Sequence, residues 1–423
     1  MLQPGSLLRL ACVLGLAFAL AAIGKASTAA DRFFLREGDR VLLLGDSITH
    51  AGGYTQYLEA YLITRFPERR VELINLGLGS EGVTGLTEPD HPFPRPNVHD
   101  RLTRALHVVK PSVVVACYGM NDGIYHPFSP ERMQKYQQGI RALVSAVKGS
   151  GARLALVTPP PFDPTPVKST VGADAPEFGY KTPYRDYDEV LTRYSAWLLT
   201  LRKEGLTVVD IHTPLLRHLR EERKSNPGYL LAPDGVHLNA AGHALFAREL
   251  LRAWGAPEEV DRAEIDARAL RVRQGDVNGL TRDGDGLRFR WRTRVPLPAE
   301  VPLAPLNRHV LRVTRGDEAF RYALYEGDEE VARLTQEELA RGIDLTAYPE
   351  LSTNRRAAEL FAKIQERERL LSSAWLSHVG HTRPQTPAGS PLEEARRRAA
   401  PLTAEIERLT RPVELELRLE RRR

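Results

Sequence analysis

Five short apolar runs punctuate the chain between Asp31 and about Trp254: Val41 to Leu44, Val71 to Leu76, Ser112 to Tyr118, Leu154 to Thr158 and Thr207 to Ile211. Between and after them lie longer amphipathic stretches, Tyr54 to Phe66, Asp100 to Val109, Pro130 to Lys148, Tyr184 to Glu204 and Asn239 to Ala253. Runs this short and this uniformly apolar read as strands covered on both faces, and the amphipathic stretches as the helices that cover them. The expected fold is α/β, a three-layer sandwich around a parallel sheet. Ligands in such sheets sit beyond the carboxyl ends of the strands. Chemistry is therefore to be sought in the polar residues that follow each run.

The 423 residues leave room for more than one domain. The expected organisation is a signal peptide over residues 1–30, an α/β domain over 31–255, a small β-rich unit over 256–345 and a helical extension over 346–423. The leader rests on Arg9, an apolar stretch from Leu10 to Ile23 too short to span a bilayer comfortably, and small residues from Ala26 to Ala30. Secretion or a periplasmic location is expected, without a stable membrane span after processing; Lys25 keeps an uncleaved anchor as the other reading. In the β unit Leu287, Phe289 and Trp291 alternate with Arg288, Arg290 and Arg292, and Val310 to Val313 and Tyr322 to Tyr325 read as further strands. Asn354 to Ser372 and Leu392 to Leu409 favour helix on either side of a loop from Gly380 to Pro391, and Arg421 to Arg423 read as a frayed end.

A net charge of +5 spread over so long a chain argues against nucleic-acid binding. Of the two cysteines, Cys12 falls in the leader and Cys117 in a strand, which fits a small core residue better than a disulfide or a thiol nucleophile. The histidines show no spacing that suggests a metal site, and the Gly/Asp stretches at 275–279 and 283–286 lack a full set of calcium ligands. No metal and no cofactor are expected.

Three stretches stand after strands. Gly45-Asp46-Ser47-Ile48-Thr49 puts a serine where a helix is about to begin, suited to a nucleophile or simply to a cap. Gly119-Met120-Asn121-Asp122 offers a carboxamide whose N–H groups could meet a developing oxyanion, or a turn residue. Asp234-Gly235-Val236-His237 sets a carboxylate three residues before an imidazole, able to hold its ring while the other nitrogen takes a proton from a serine. Each is weak alone. Together they occupy strand ends that a parallel sheet brings to one rim.

These ordered blocks resemble the SGNH (GDSL-type) hydrolase superfamily of serine esterases over roughly residues 38–254, and the resemblance implies a flavodoxin-like fold and metal-free ester hydrolysis. It implies Ser47 as nucleophile, His237 as base oriented by Asp234, oxyanion donors from the Ser47 backbone and Asn121, and Asp46 and Gly119 in support. The family's second block is altered here: in Asn75-Leu76-Gly77-Leu78-Gly79-Ser80-Glu81, either Gly79 or Ser80 would supply the backbone donor. The Pro-rich stretch Glu88 to Pro96 resembles an extracytoplasmic bacterial subgroup that carries a similar β and helical tail. It and Thr158 to Asp163 are candidate walls of the pocket, or rigid connectors.

The expected activity is an acyl-enzyme esterase acting on small-molecule or carbohydrate esters, with carbohydrate O-acetyl groups as the leading substrate. A lipase or lysophospholipase and a non-catalytic glycan-binding or cell-surface protein are the alternatives.

Overall fold

A computed structural model describes residues 33–298 and 303–422; the expected leader lies outside them. Strands β1 (Arg40–Gly45), β2 (Glu72–Asn75), β3 (Val113–Cys117), β4 (Arg153–Val157) and β5 (Thr207–Val209) form one parallel sheet in the order β2-β1-β3-β4-β5. This is the flavodoxin-like α/β/α sandwich. Val41 to Leu44 and Val113 to Val115 are sealed from solvent on both faces, which is why the runs carry no polar alternation. A buried Val or Leu side chain in such a core contributes about 1.5–3 kcal/mol.

The covering helices are α1 (Ser47–His50), α2 (Gly53–Arg65), α3 (Leu102–Val109), α4 (Pro130–Gly149), α5 (Tyr187–Thr200), α6 (His212–Ser225) and α7 (Ala240–Ala253). Of these, α6 was not expected from sequence: only His212, Leu215 and Leu219 of its fourteen residues are buried, so its apolar stripe is thin.

Beyond Trp254 come β6 (Glu259–Asp266), β7 (Arg271–Gln274), β8 (Val277–Asp283), β9 (Gly286–Thr293), β10 (Arg308–Thr314), β11 (Arg321–Glu326), β12 (Glu329–Thr335), α8 (Gln336–Arg341), β13 (Ile343–Asp344), α9 (Ser352–Val379), α10 (Leu392–Leu409) and β14 (Val413–Arg422). They build a four-stranded sheet, β13-β10-β6-β7, and a five-stranded sheet, β12-β11-β14-β9-β8. Inward residues of both, among them Ile265, Leu311, Phe289, Trp291 and Leu417, share one core.

The expected helical extension is therefore not wholly helical, and Arg421 and Arg422 are not frayed. Leu415, Leu417 and Leu419 are buried while Glu414 and Glu416 face out, a period of two that makes a strand. That strand lies between β9 and β11, with Arg421 on Asp317 at 2.7 Å and Arg422 on the Tyr325 hydroxyl at 2.6 Å. The Gly/Asp stretches of the β unit are turns at the β7–β8 and β8–β9 junctions.

Helix α2 is buried almost all round because a layer covers it on each side. Tyr54 stacks on Phe246 of α7 at 4.0 Å, and Tyr57 stacks on Phe361 of α9 at 4.6 Å. The α9–α10 pair thus packs directly on the α/β sandwich.

Candidate active site

Sheet order gathers the motif blocks. β1 lies between β2 and β3, so the loop carrying Ser47 is flanked by the loop after β2 and the loop after β3. The first turn is tight: a Cβ on Gly45 would sit 2.1 Å from Thr49 Oγ1 and 2.9 Å from the Cys117 carbonyl oxygen. Asp46 caps α1, accepting from the Ile48 N–H at 2.9 Å, and burial pushes its carboxyl up to about 7.

Ser47, Asp234 and His237 come together. His237 Nε2 lies 2.8 Å from Ser47 Oγ, and His237 Nδ1 lies 2.7 Å from an oxygen of Asp234. A carboxylate can only accept, so Nδ1 carries the hydrogen and Nε2 is left to accept from the serine hydroxyl. The other Asp234 oxygen accepts from the N–H groups of Val236 and His237 at 3.0 and 2.7 Å, closing the turn on itself. Burial alone would raise the Asp234 pKa, but the bonds from the His237 ring and these two N–H groups hold it well below the usual carboxylate range. The same carboxylate raises His237, against a smaller opposing effect of burial. Both side chains are half open to solvent, at 57% and 50% exposure, so the pair stands on an open rim.

The flanking loops are tied to this centre. Leu78 N–H donates to the Gly45 carbonyl at 2.9 Å. Asn121 is buried after β3 and gives one amide hydrogen to the Glu81 carbonyl at 3.0 Å, leaving its second. Ser80 holds a left-handed backbone at φ 67°, unusual for a non-glycine residue. Its hydroxyl lies 3.1 Å from His91 Nε2, and its carbonyl accepts from Arg95 at 3.3 Å. Gly119, also at positive φ, lies against Pro159. His243 is buried against Gly53, and burial lowers it to about 4. Cys117 is a buried thiol whose pKa burial pushes up.

Both expected walls border the site. The Glu88–Pro96 loop closes on a buried Arg95–Glu88 pair, with Nε–Oε2 at 2.6 Å, and reaches Ser80 through His91. The stretch after β4 meets the Asp234 turn, where Asp163 N–H donates to the Gly235 carbonyl at 2.9 Å.

Sequence reasoning missed what lies beneath and beside the second block. Glu81 takes a forked Arg101 guanidinium, both contacts 2.6 Å, and the Tyr118 hydroxyl at 2.6 Å, all buried. Arg383, from the α9–α10 loop, lies over Gly79, its Nε 3.2 Å from where a Cβ there would stand, and stacks on Phe93. Glu368 of α9 reaches Asn75 at 3.0 Å. These partners stand far apart in the chain, and no local pattern announces them.

Over 91% of its length the chain shares its fold with a gut microbial diltiazem-metabolizing enzyme, of which the likeness covers 98%, at 19% identity and a TM-score of 0.70. An acetylxylan esterase from Geobacillus stearothermophilus aligns with 53% of the chain and 97% of its own, at 22% identity and a TM-score of 0.37. A second acetyl xylan esterase aligns with 51% and 98%, at 21% identity and a TM-score of 0.39. No curated protein matches the chain in sequence. Residues 43–245 match the model of the GDSL-like lipase/acylhydrolase family. These residues form a GDSL-like domain of the SGNH ester hydrolase type.

Proposed function

We propose that Ser47 is the nucleophile and His237, held by Asp234, the base of an exported esterase that removes short acyl groups, carbohydrate O-acetyl groups foremost. The observation that carries this is the line of contacts Ser47 Oγ to His237 Nε2 to Asp234, at 2.8 and 2.7 Å. As Ser47 Oγ bonds to the ester carbonyl carbon, its proton passes to His237 Nε2. The tetrahedral oxyanion is met by the Ser47 N–H, the free amide hydrogen of Asn121 and the N–H of Gly79 or Ser80. Collapse breaks the ester C–O bond and His237 returns the proton to the leaving alcohol. Water then repeats the sequence on the acyl-enzyme, restoring the serine hydroxyl and releasing the acid.

The open rim suits an acyl group presented on a bulky polar alcohol better than a long chain that needs a tunnel. The proposal rests on this chain's own rim and on the leader read from residues 1–30. No helix among the described residues is long and apolar enough to cross a membrane.

The test is hydrolysis of aryl esters from acetate to palmitate by wild type and Ser47→Ala. Expected are loss of nearly all activity in the variant and a wild-type preference for acetate. Equal rates in the two proteins would reject the nucleophile, and a monotonic rise with acyl length would reject the substrate class in favour of a lipase.

A further inference from the structure

We propose that Glu368, carried onto the α/β sandwich by α9, is a positioning residue for hydrolysis: it fixes the Asn75 carboxamide that joins the nucleophile's helix to the glycine-rich loop. This rests on the reading of Ser47 as nucleophile. Asn75 closes β2, and its amide is committed in three directions. One Nδ2 hydrogen goes to the Thr49 carbonyl at 2.8 Å, the other to Glu368 Oε1 at 3.0 Å, and Oδ1 accepts from the Gly77 N–H at 2.9 Å. Thr49 stands two residues after Ser47 in α1, and Gly77 opens the Gly77-Leu78-Gly79-Ser80 loop that offers an oxyanion donor. The carboxamide is thus a rivet between the attacking oxygen's helix and the loop that meets the charge it creates. The Gly77 N–H and the Thr49 carbonyl set which way round the rivet sits, and Glu368, which accepts the remaining Nδ2 hydrogen, holds it there.

A carboxyl group is a costly residue for a helix-docking contact, where a leucine would seal the interface. Glu368 is nevertheless half-buried, with Oε2 shut off from solvent. Its Oε1 touches the Thr55 hydroxyl and, with Gln56, completes a polar cluster on α2; Glu59, the other acid nearby, is engaged by Arg367. Thr55 Oγ1 also lies 2.7 Å from the Gly52 carbonyl, which can only accept. Burial pushes this carboxyl up to about 7. Accepting from Asn75 is a task a glutamine carbonyl can copy and a leucine cannot.

The test uses the full chain, with kcat normalised to the fraction of sites titrated by a fluorophosphonate, alongside thermal unfolding. Glu368→Leu should lower kcat by about tenfold or more, with KM within about twofold, since small misplacements of reacting groups act on the transition state. Glu368→Gln should keep at least about half of wild-type kcat, and should remove any alkaline fall in kcat that ionisation of the acid produces. Asn75→Ala should match Glu368→Leu, and the double variant should be no worse than either. Should Glu368→Leu not accumulate folded, Glu368→Asp, whose carboxyl falls short of Asn75, carries the same expectation. The proposal is overturned if the folded variants keep wild-type kcat per titrated site while only the melting temperature falls, if Glu368→Gln loses as much as Glu368→Leu, or if the two losses add. Failure of the Ser47 assignment looks different: Ser47→Ala would then still hydrolyse ester and still label.

Discussion

His237 Nε2 stands 2.8 Å from Ser47 Oγ although 190 positions separate the two residues. Only the sheet order and the Asp234–His237 turn bring them together, and the variants that follow test each part of that placement.

Asp234→Asn keeps an acceptor for the turn's N–H groups but removes the charge that favours the protonated ring and the bond that selects its tautomer. Plateau kcat should fall by about 10²- to 10⁴-fold. The sign of the pH effect is set by the proposed base: His237 would work when neutral, and Asp234 raises its pKa. Wild-type kcat/KM should therefore fall as pH drops through that raised value. In Asp234→Asn the acid limb should move to lower pH. A pH–rate profile of both proteins checks this.

Asn121→Ala removes a side-chain donor while leaving Ser47 and His237 in place. A loss of about 10²- to 10³-fold in kcat with KM little changed is expected. Steady-state kinetics on an aryl acetate will show it; a loss confined to KM would place Asn121 outside the oxyanion site.

Gly235→Ala should disturb the turn that carries both Asp234 and His237. Gly235 has φ 85°, and a Cβ there would lie 2.4 Å from the Asp163 carbonyl oxygen. Strain of about 1–3 kcal/mol is expected, read as a lower urea midpoint, together with a fall in kcat.

Glu81→Ala would leave the Arg101 guanidinium buried without its partner, and the two side chains are 0% and 2% exposed. Breaking a buried pair in this way costs about 3–5 kcal/mol. Equilibrium denaturation should show a loss of that size, whereas Arg141→Ala, which breaks the open Arg141–Glu204 pair, should be nearly silent.

The sheet and the meeting of Ser47, Asp234 and His237 were legible because their signals are local. Val41 to Leu44 and Val113 to Val115 declare strands by composition, and Asp234 and His237 declare a turn by spacing. Adjacency of the three blocks followed from their places at the ends of strand units in a parallel sheet. The supports were not legible, since Glu81–Arg101, Glu368–Asn75 and Arg383 over Gly79 join residues whose chain neighbours carry no pattern. β14 was lost for another reason. Val413 to Leu419 alternates as a strand should, yet the arginines that follow drew the reading towards a solvated end; here their long stems and charged heads find Asp317 and Tyr325 along the sheet.

The interior place of β14 bears on how the protein is made. Residues 413–422 must leave the ribosome before β9 and β11 can find the strand that separates them. A product broken off after α10 would present both as naked edges, the surface on which chains aggregate and proteases act. Closure of that sheet thus waits on residues 413–422, more than a hundred positions after β9.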